Sequence, residues 1–300
     1  MSLARGRRQG CGEVLMSTPA SDRNAPVLLI GNDLGGQVGE VMSADGVPVR
    51  YAVYGGGLPA IVFVHGWSCD RRYWLGQVDH FAARFTVVTV DLAGHGESGT
   101  DRRRWTMPAF GADVAAVVTG LDLPEVVLVG HSMGGDVIVE AARRLRPRVR
   151  GLVWADVYRS LDESGSNAGT EEEIAAFIAP FEADFGAATR AFVRRIAGAD
   201  TDPDLVDRIA DDMAAAPPQI ALDAMRHAIT NEQAAIAGLR QAAVPAVAIN
   251  PGSPPTDIES LARHGIATAV LPAVGHFLML QDASGFNQLL DKVIEDFLTR

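Results

Sequence analysis

The 300 residues carry 48% hydrophobic and 21% charged side chains, a formal net charge of −11 and two cysteines, with a mean hydropathy of +0.11. A chain of this size buries about three quarters of its surface, so it needs no disulfide or metal staple, and it is too apolar to be disordered. The acidic balance excludes a general polyanion binder, and Cys11 and Cys69 are too few for a disulfide framework and wrongly spaced for a zinc module.

Arg5, Arg7 and Arg8 imitate the start of a signal peptide, but the polar residues 9–13 follow, and Val14-Leu15-Met16 is too short for an apolar core segment. No run of about 18 apolar residues occurs, so no membrane span is expected, and the expected address is cytoplasmic. Residues 1–36, with Thr18-Pro19 and Ala25-Pro26, read as a loosely ordered extension in which Met16 is an alternative start to Met1. Beyond it, 38–42 and 49–54 flank Asp45-Gly46 as a β-hairpin. Short apolar, β-branched runs at 60–64, 86–90, 126–129, 151–154, 246–249 and 267–271 read as strands, with helical stretches at 107–121, 134–145 and 257–263. Strands without polar alternation, separated by helices, predict an α/β fold: a mostly parallel twisted sheet with helices on both faces. The span 161–240 lacks a strand pattern and reads as four or five helices, with a capping box at Thr170–Glu173 and an N-cap before proline at Asp202-Pro203. An all-helical insertion between sheet strands predicts a lid, leaving 37–160 and 241–300 as the core.

Val126-Val127-Leu128-Val129-Gly130-His131-Ser132-Met133-Gly134-Gly135, followed by a helical pattern, is strand, tight turn, helix. Gly130-x-Ser132-x-Gly134 fits a nucleophile elbow: a strained turn lifts the serine hydroxyl above the sheet, and only hydrogen side chains at the flanking positions avoid a clash. The bland alternative is an ordinary βα turn with an incidental serine. His131 cannot reach its neighbour's hydroxyl across so tight a turn and is not the expected base.

Three more motifs carry a resemblance. Val64-His65-Gly66-Trp67 resembles the oxyanion loop of the α/β-hydrolase family, Asp91–Ser98 resembles the loop after that family's next strand, and Gly275-His276-Phe277 resembles its catalytic-histidine turn. With the elbow they stand in family order, and the similarity covers about residues 38 to 300. It implies Ser132 as nucleophile, His276 as base, and the backbone N–H groups of Trp67 and Met133 as oxyanion hole, with His65, Gly66, Gly130 and Gly134 as structural motif residues. It also implies that His65 and His95 are structural hydrogen-bonders; His80, His227 and His264 read as helix-surface positions.

The acid is the open choice. Most of the family carries an aspartate shortly after the strand represented here by 246–249, but that turn has no acid near 252 or 253. Asp156, at the tip of the strand beside the nucleophile strand, is the preferred acid, as in some members of the family. Asp257 is the alternative, although its place at a helix start is explained by the helix dipole alone.

The expected activity is hydrolysis of a small carboxylic ester through an acyl-enzyme, with no cofactor and no metal. Phe177, Phe181, Phe185, Phe192, Met213 and Met225 are candidate lid and pocket residues, each equally a normal helix-core residue. Cys69 reads as a buried small hydrophobe. The alternatives are a cofactor-free oxygenase, haloperoxidase or carbon–carbon hydrolase on the same triad, and a non-catalytic ligand-binding relative. The expected partner is a small-molecule substrate, with neither nucleic acid nor membrane; the sequence is silent on oligomeric state.

Overall fold

The structure, a computed structural model, describes residues 35–161 and 169–299. The expected extension over 1–36 and the choice between Met1 and Met16 fall outside them, apart from Gly35 and Gly36. Among the described residues the strands are β1 (Gln37–Met42), β2 (Pro48–Gly55), β3 (Ala60–Val64), β4 (Thr86–Val90), β5 (Val126–His131), β6 (Val149–Ala155), β7 (Ala246–Pro251) and β8 (Ile266–Leu271). They form one sheet in the order β1-β2-β4-β3-β5-β6-β7-β8. Only β2 runs against its neighbours; the pairs from β4 to β8 are parallel. Every residue of β3 and β5 is buried, as a strand covered on both faces requires, so that truncating one, as in Leu128→Ala, would cost about 2–5 kcal/mol.

Helices α1 (Leu75–Phe81), α2 (Met107–Gly120), α3 (Met133–Leu145), α9 (Ile258–Arg263), α10 (Leu278–Gln281) and α11 (Ala283–Leu298) accompany the sheet. Three of them, α1, α10 and α11, lie outside the predicted helical stretches. The buried α3 packs against α2 and against α8 (Glu232–Ala242). The chain steps from β3 to β4 on one side and from β5 to β6 on the other. The loops after β3 and β5 therefore diverge, opening a crevice at the carboxyl ends of the strands, where α/β sheets bind ligands.

Between β6 and β7 the described residues hold α4 (Glu171–Ala183), α5 (Phe185–Ile196), α6 (Pro203–Ala214), α7 (Pro218–Ile229) and α8, with no strand among them. Thr170 and Glu173 make the predicted capping box, and Asp202 caps α6 before Pro203. Among the described residues no helix is long and apolar enough to cross a membrane.

Candidate active site

Ser132 occupies the turn between β5 and α3 with φ 50° and ψ −125°, a conformation that costs a non-glycine residue about 1–3 kcal/mol. Two backbone hydrogen bonds hold it there: Ser132 N–H donates to Ala155 O at 3.1 Å, and Gly135 N–H donates to Ser132 O at 2.8 Å. The flanking glycines serve close approach. A Cβ on Gly130 would sit 2.3 Å from Gly134 O, and one on Gly134 would sit 2.6 Å from the carbonyl oxygens of Val64 and His65. A side chain at Gly134 would push the turn off the end of β3, and one at Gly130 would push it off the start of α3.

The loop after β3 passes directly beside this turn. His65 donates from Nδ1 to Gly66 O at 2.8 Å, and its Nε2 accepts from Leu92 N–H at 3.0 Å. Burial pushes its pKa down to about 4, which keeps the ring neutral and able to accept. His95 is likewise buried, its pKa pushed down to about 3, with Nδ1 on Ala93 O at 3.1 Å. Trp67 N–H has no acceptor among the described residues, and Met133 opens α3, where backbone N–H groups lack intrahelical partners. The Trp67 indole reaches away from the sheet: Nε1–H donates to Ala221 O on α7 at 2.7 Å. Phe181, Phe185 and Phe192 pack around the indole at centroid distances of 5.8, 5.9 and 6.1 Å.

His276 lies in the turn after β8. Its Nδ1 is 2.7 Å from Asp156 Oδ2, and its backbone N–H donates to Ile196 O at the end of α5 at 3.0 Å. Asp156, buried, stands just past β6 with φ 48°. Asp257 is exposed and caps α9, accepting Ser260 N–H at 2.9 Å. It precedes α9 rather than opening it, and among the described residues it has no bond to His276. His131 is buried and donates from Nε2 to His276 O at 2.9 Å; burial holds its ring well below the usual histidine pKa, so it orients the turn as a neutral group.

Among the described residues no hydrogen bond links the Ser132 hydroxyl to His276. The two line one cavity of about 220 Å³, and this contact is one that commonly tightens only with substrate bound. Trp67, Met133, Phe177, Phe192, Met213 and Met225 also line it. The expected pocket residues Phe181 and Phe185 instead buttress Trp67. Cys69 borders the cavity as a buried thiol whose pKa burial raises well above its usual value. His80 is an exposed position on α1, whereas His227 on α7 and His264 at the end of α9 are half-buried.

Four residues at the site escape the sequence reading. Arg159 binds Asp156, with Nη2 3.0 Å from Oδ1. Tyr158 OH donates to Asp136 Oδ1 at 2.9 Å, and Asn231 Nδ2 donates to Asp136 Oδ2 at 2.8 Å. Burial lifts the Asp136 pKa to about 6. The spacing Asp156-x-x-Arg159 was a visible signal; the Asp136 pairings join residues too far apart in the chain to show one.

The profile described as Alpha/beta hydrolase family matches residues 61–289. A dihydrolipoyllysine-residue acetyltransferase component of an acetoin cleaving system from Cupriavidus necator is 39% identical over 98 residues, 33% of this chain and 26% of that protein. A non-heme chloroperoxidase from Streptomyces lividans is 35% identical over 113 residues, 37% of this chain and 41% of that one. The chain thus spans well under half the length of these curated relatives. Among solved structures, a thermophilic esterase from Thermogutta terrifontis superposes with a TM-score of 0.74 at 24% identity, covering 87% of this chain and 99% of that one; at that identity the likeness speaks for the fold.

Proposed function

The chain belongs to the alpha/beta hydrolase family, and from that premise we propose that it is a serine hydrolase cleaving a small carboxylic ester through an acyl-enzyme. The observation that carries this reading is the 2.7 Å bond between His276 Nδ1 and Asp156 Oδ2, on a histidine that shares its cavity with Ser132. Asp156 fixes the ring with Nε2 free. Nε2 takes the Ser132 proton as Oγ attacks the ester carbonyl. The oxyanion sits between the N–H groups of Trp67 and Met133, each contributing about 3 kcal/mol of transition-state stabilisation. His276 then protonates the departing alcohol and later activates the water that releases the acid.

The apolar cavity of about 220 Å³ suits a compact acyl group. A wider, more polar cleft of about 1230 Å³, bordered by His276, Arg195, Asp200 and Glu232, suits the alcohol portion. The inserted helices α4–α8 act as the lid over both. A second reading, peroxide-dependent halogenation on the same residues, is favoured by the relative from Streptomyces lividans.

The test is turnover of a p-nitrophenyl ester series with fluorophosphonate labelling. Wild type should show labelling and turnover that are both lost in Ser132→Ala. Ester turnover that survives this substitution would sink the reading. Halide-dependent bromination of a dye with peroxide, in the absence of ester turnover, would move the assignment to the second reading.

A further inference from the structure

We infer that Arg159 is a positioning residue for the acid: it locks the Asp156 carboxylate to the loop after β7 and sets the orientation in which that carboxylate meets His276. The inference rests on the triad reading above and deepens it. Asp156 has a left-handed backbone with φ 48°, so its side chain leaves the sheet edge from a sharp turn. Its backbone is anchored, with Asp156 N–H donating to Ile249 O at 3.0 Å, but that bond leaves the carboxylate free to rotate. The guanidinium removes this freedom. Nη2 lies 3.0 Å from Oδ1 and donates to Oδ2 at 3.2 Å. Nη1 turns the other way and donates to Pro254 O at 2.5 Å, within reach of Pro251 O at 3.5 Å.

The arrangement answers a specific geometric problem. The loop after β7 carries no carboxylate toward His276; it offers backbone carbonyls instead, and a planar fork of donors is the group that can join carbonyls to a carboxylate. The same two segments are tied again by Asp257 N–H donating to Arg159 O at 2.7 Å and by Asn250 Nδ2 donating to Tyr158 O at 2.9 Å. The guanidinium is 27% exposed and the carboxylate 5%, so the pair is screened by solvent on one side only.

Such a fork has a cost in charge. A cation on the far side of Asp156 weakens the pull of the carboxylate on the imidazolium that forms during turnover. Orientation is gained and electrostatic stabilisation is given up, and these separate experimentally. The other titratable and charged groups lining the two cavities that His276 borders are Cys69 after β3, His131 on β5, Asp136 on α3, Tyr158 after β6, Arg195 on α5, Asp200 after it and Glu232 on α8, while Asp257 before α9 is tied to Arg159 O by its backbone N–H. All of them are retained when Arg159 alone is changed.

The experiment is the pH profile of kcat/KM, with kcat and KM separately, for wild type, Arg159→Gln, Arg159→Lys and Asp156→Asn on a neutral ester, each checked by circular dichroism. Arg159→Gln should lose about tenfold in kcat with KM little changed. Its acid limb should move to higher pH by about half a unit, because the unshielded carboxylate favours the protonated ring. Arg159→Lys, which keeps the charge without the fork, should leave the limb in place and recover part of kcat. Arg159→Met, similar in length and uncharged, serves if the glutamine variant does not fold. A kcat and limb unchanged in the uncharged variants, with Asp156→Asn inactive, would overturn the inference. A KM rise confined to anionic esters with the limb unmoved would also overturn it, giving the guanidinium to substrate. Near wild-type turnover in Asp156→Asn would instead strike the underlying choice of acid.

Discussion

Two turns leave the carboxyl edge of the sheet side by side, one after β6 and one after β7, and each carries an aspartate. Asp156 is buried, left-handed and bonded to His276 and Arg159. Asp257 is exposed and holds the first turn of a six-residue helix. The side chains are chemically identical, and their surroundings give them different work. Asp156 follows its strand immediately, so it remains at the edge where His276 arrives. Asp257 follows β7 only after the stretch Gly252–Thr256 with its two prolines, by which point the chain has turned toward α9. Position along the turn, not residue type, separates them.

The sharpest way to break this comparison is Asp156→Asn, expected to lower ester kcat by about 1000- to 10,000-fold, the scale of losing the group that orients a triad histidine. Steady-state kinetics at neutral pH check it.

A smaller effect probes what lies beneath the first turn. Tyr158 fastens that turn to Asp136, whose folded pKa is about 6 against an ordinary value of 3.8. Between those values the folded chain holds a proton that the unfolded chain has released, so this group's contribution to stability falls as pH rises from about 4 to 6. Wild type should therefore gain on the order of 2 kcal/mol relative to Asp136→Asn on acidification across that window, read by urea unfolding at each pH. A constant gap would show that the buried carboxyl does not titrate there.

Asn250→Ala cuts the cross-tie between the turns, removing donors to Tyr158 O and Thr256 Oγ1. About 1–2 kcal/mol of stability should go, along with a several-fold loss of kcat through the loosened Asp156 turn. The mildest outcome belongs to the second turn itself. Asp257→Ala should cost about 1 kcal/mol as a lost cap and leave turnover within about twofold of wild type. A large loss of turnover there, with stability intact, would erase the contrast.

Much of the frame was legible because it depends on local pattern. The hairpin pattern and the apolar runs marked all eight strands found among the described residues, although β5 extends to His131 and β6 begins at Val149, both beyond the predicted ends. Those added residues flank turns whose geometry comes from neighbouring strands rather than from composition. Helices α1, α10 and α11 were missed: α10 is only four residues long, and α11 follows it after a single residue without an obvious break. At the site, Ser132 and His276 stood out because glycine-bounded turns carry their own signature. Asp156 was preferred on edge placement, and its Oδ2 lies 2.7 Å from His276 Nδ1. The Arg159 bonds to Pro251 O and Pro254 O, the His131 bond to His276 O and the Asp136 cluster were not legible, because each joins segments that only the folded sheet brings together. Trp67 was singled out only for its backbone N–H; its indole also lines the cavity and ties the loop after β3 to α4, α5 and α7.

That tie has a counterpart. Gly275 and His276 rest on the end of α5: a Cβ on Gly275 would lie 1.9 Å from Ala197 O, and Gln281 clasps Ala197 O at 2.7 Å while accepting Gly275 N–H at 2.9 Å. The loop that supplies Trp67 and the turn that supplies His276 are thus both moored to the same helices that wall the cavity. Exchanging those helices for another set to change what the cavity admits would unseat Trp67 and His276 at the same time. On the reading proposed above, selectivity and reactivity are therefore inherited as one unit, and an engineer altering the first has to rebuild the anchorage of Trp67 and His276 along with it.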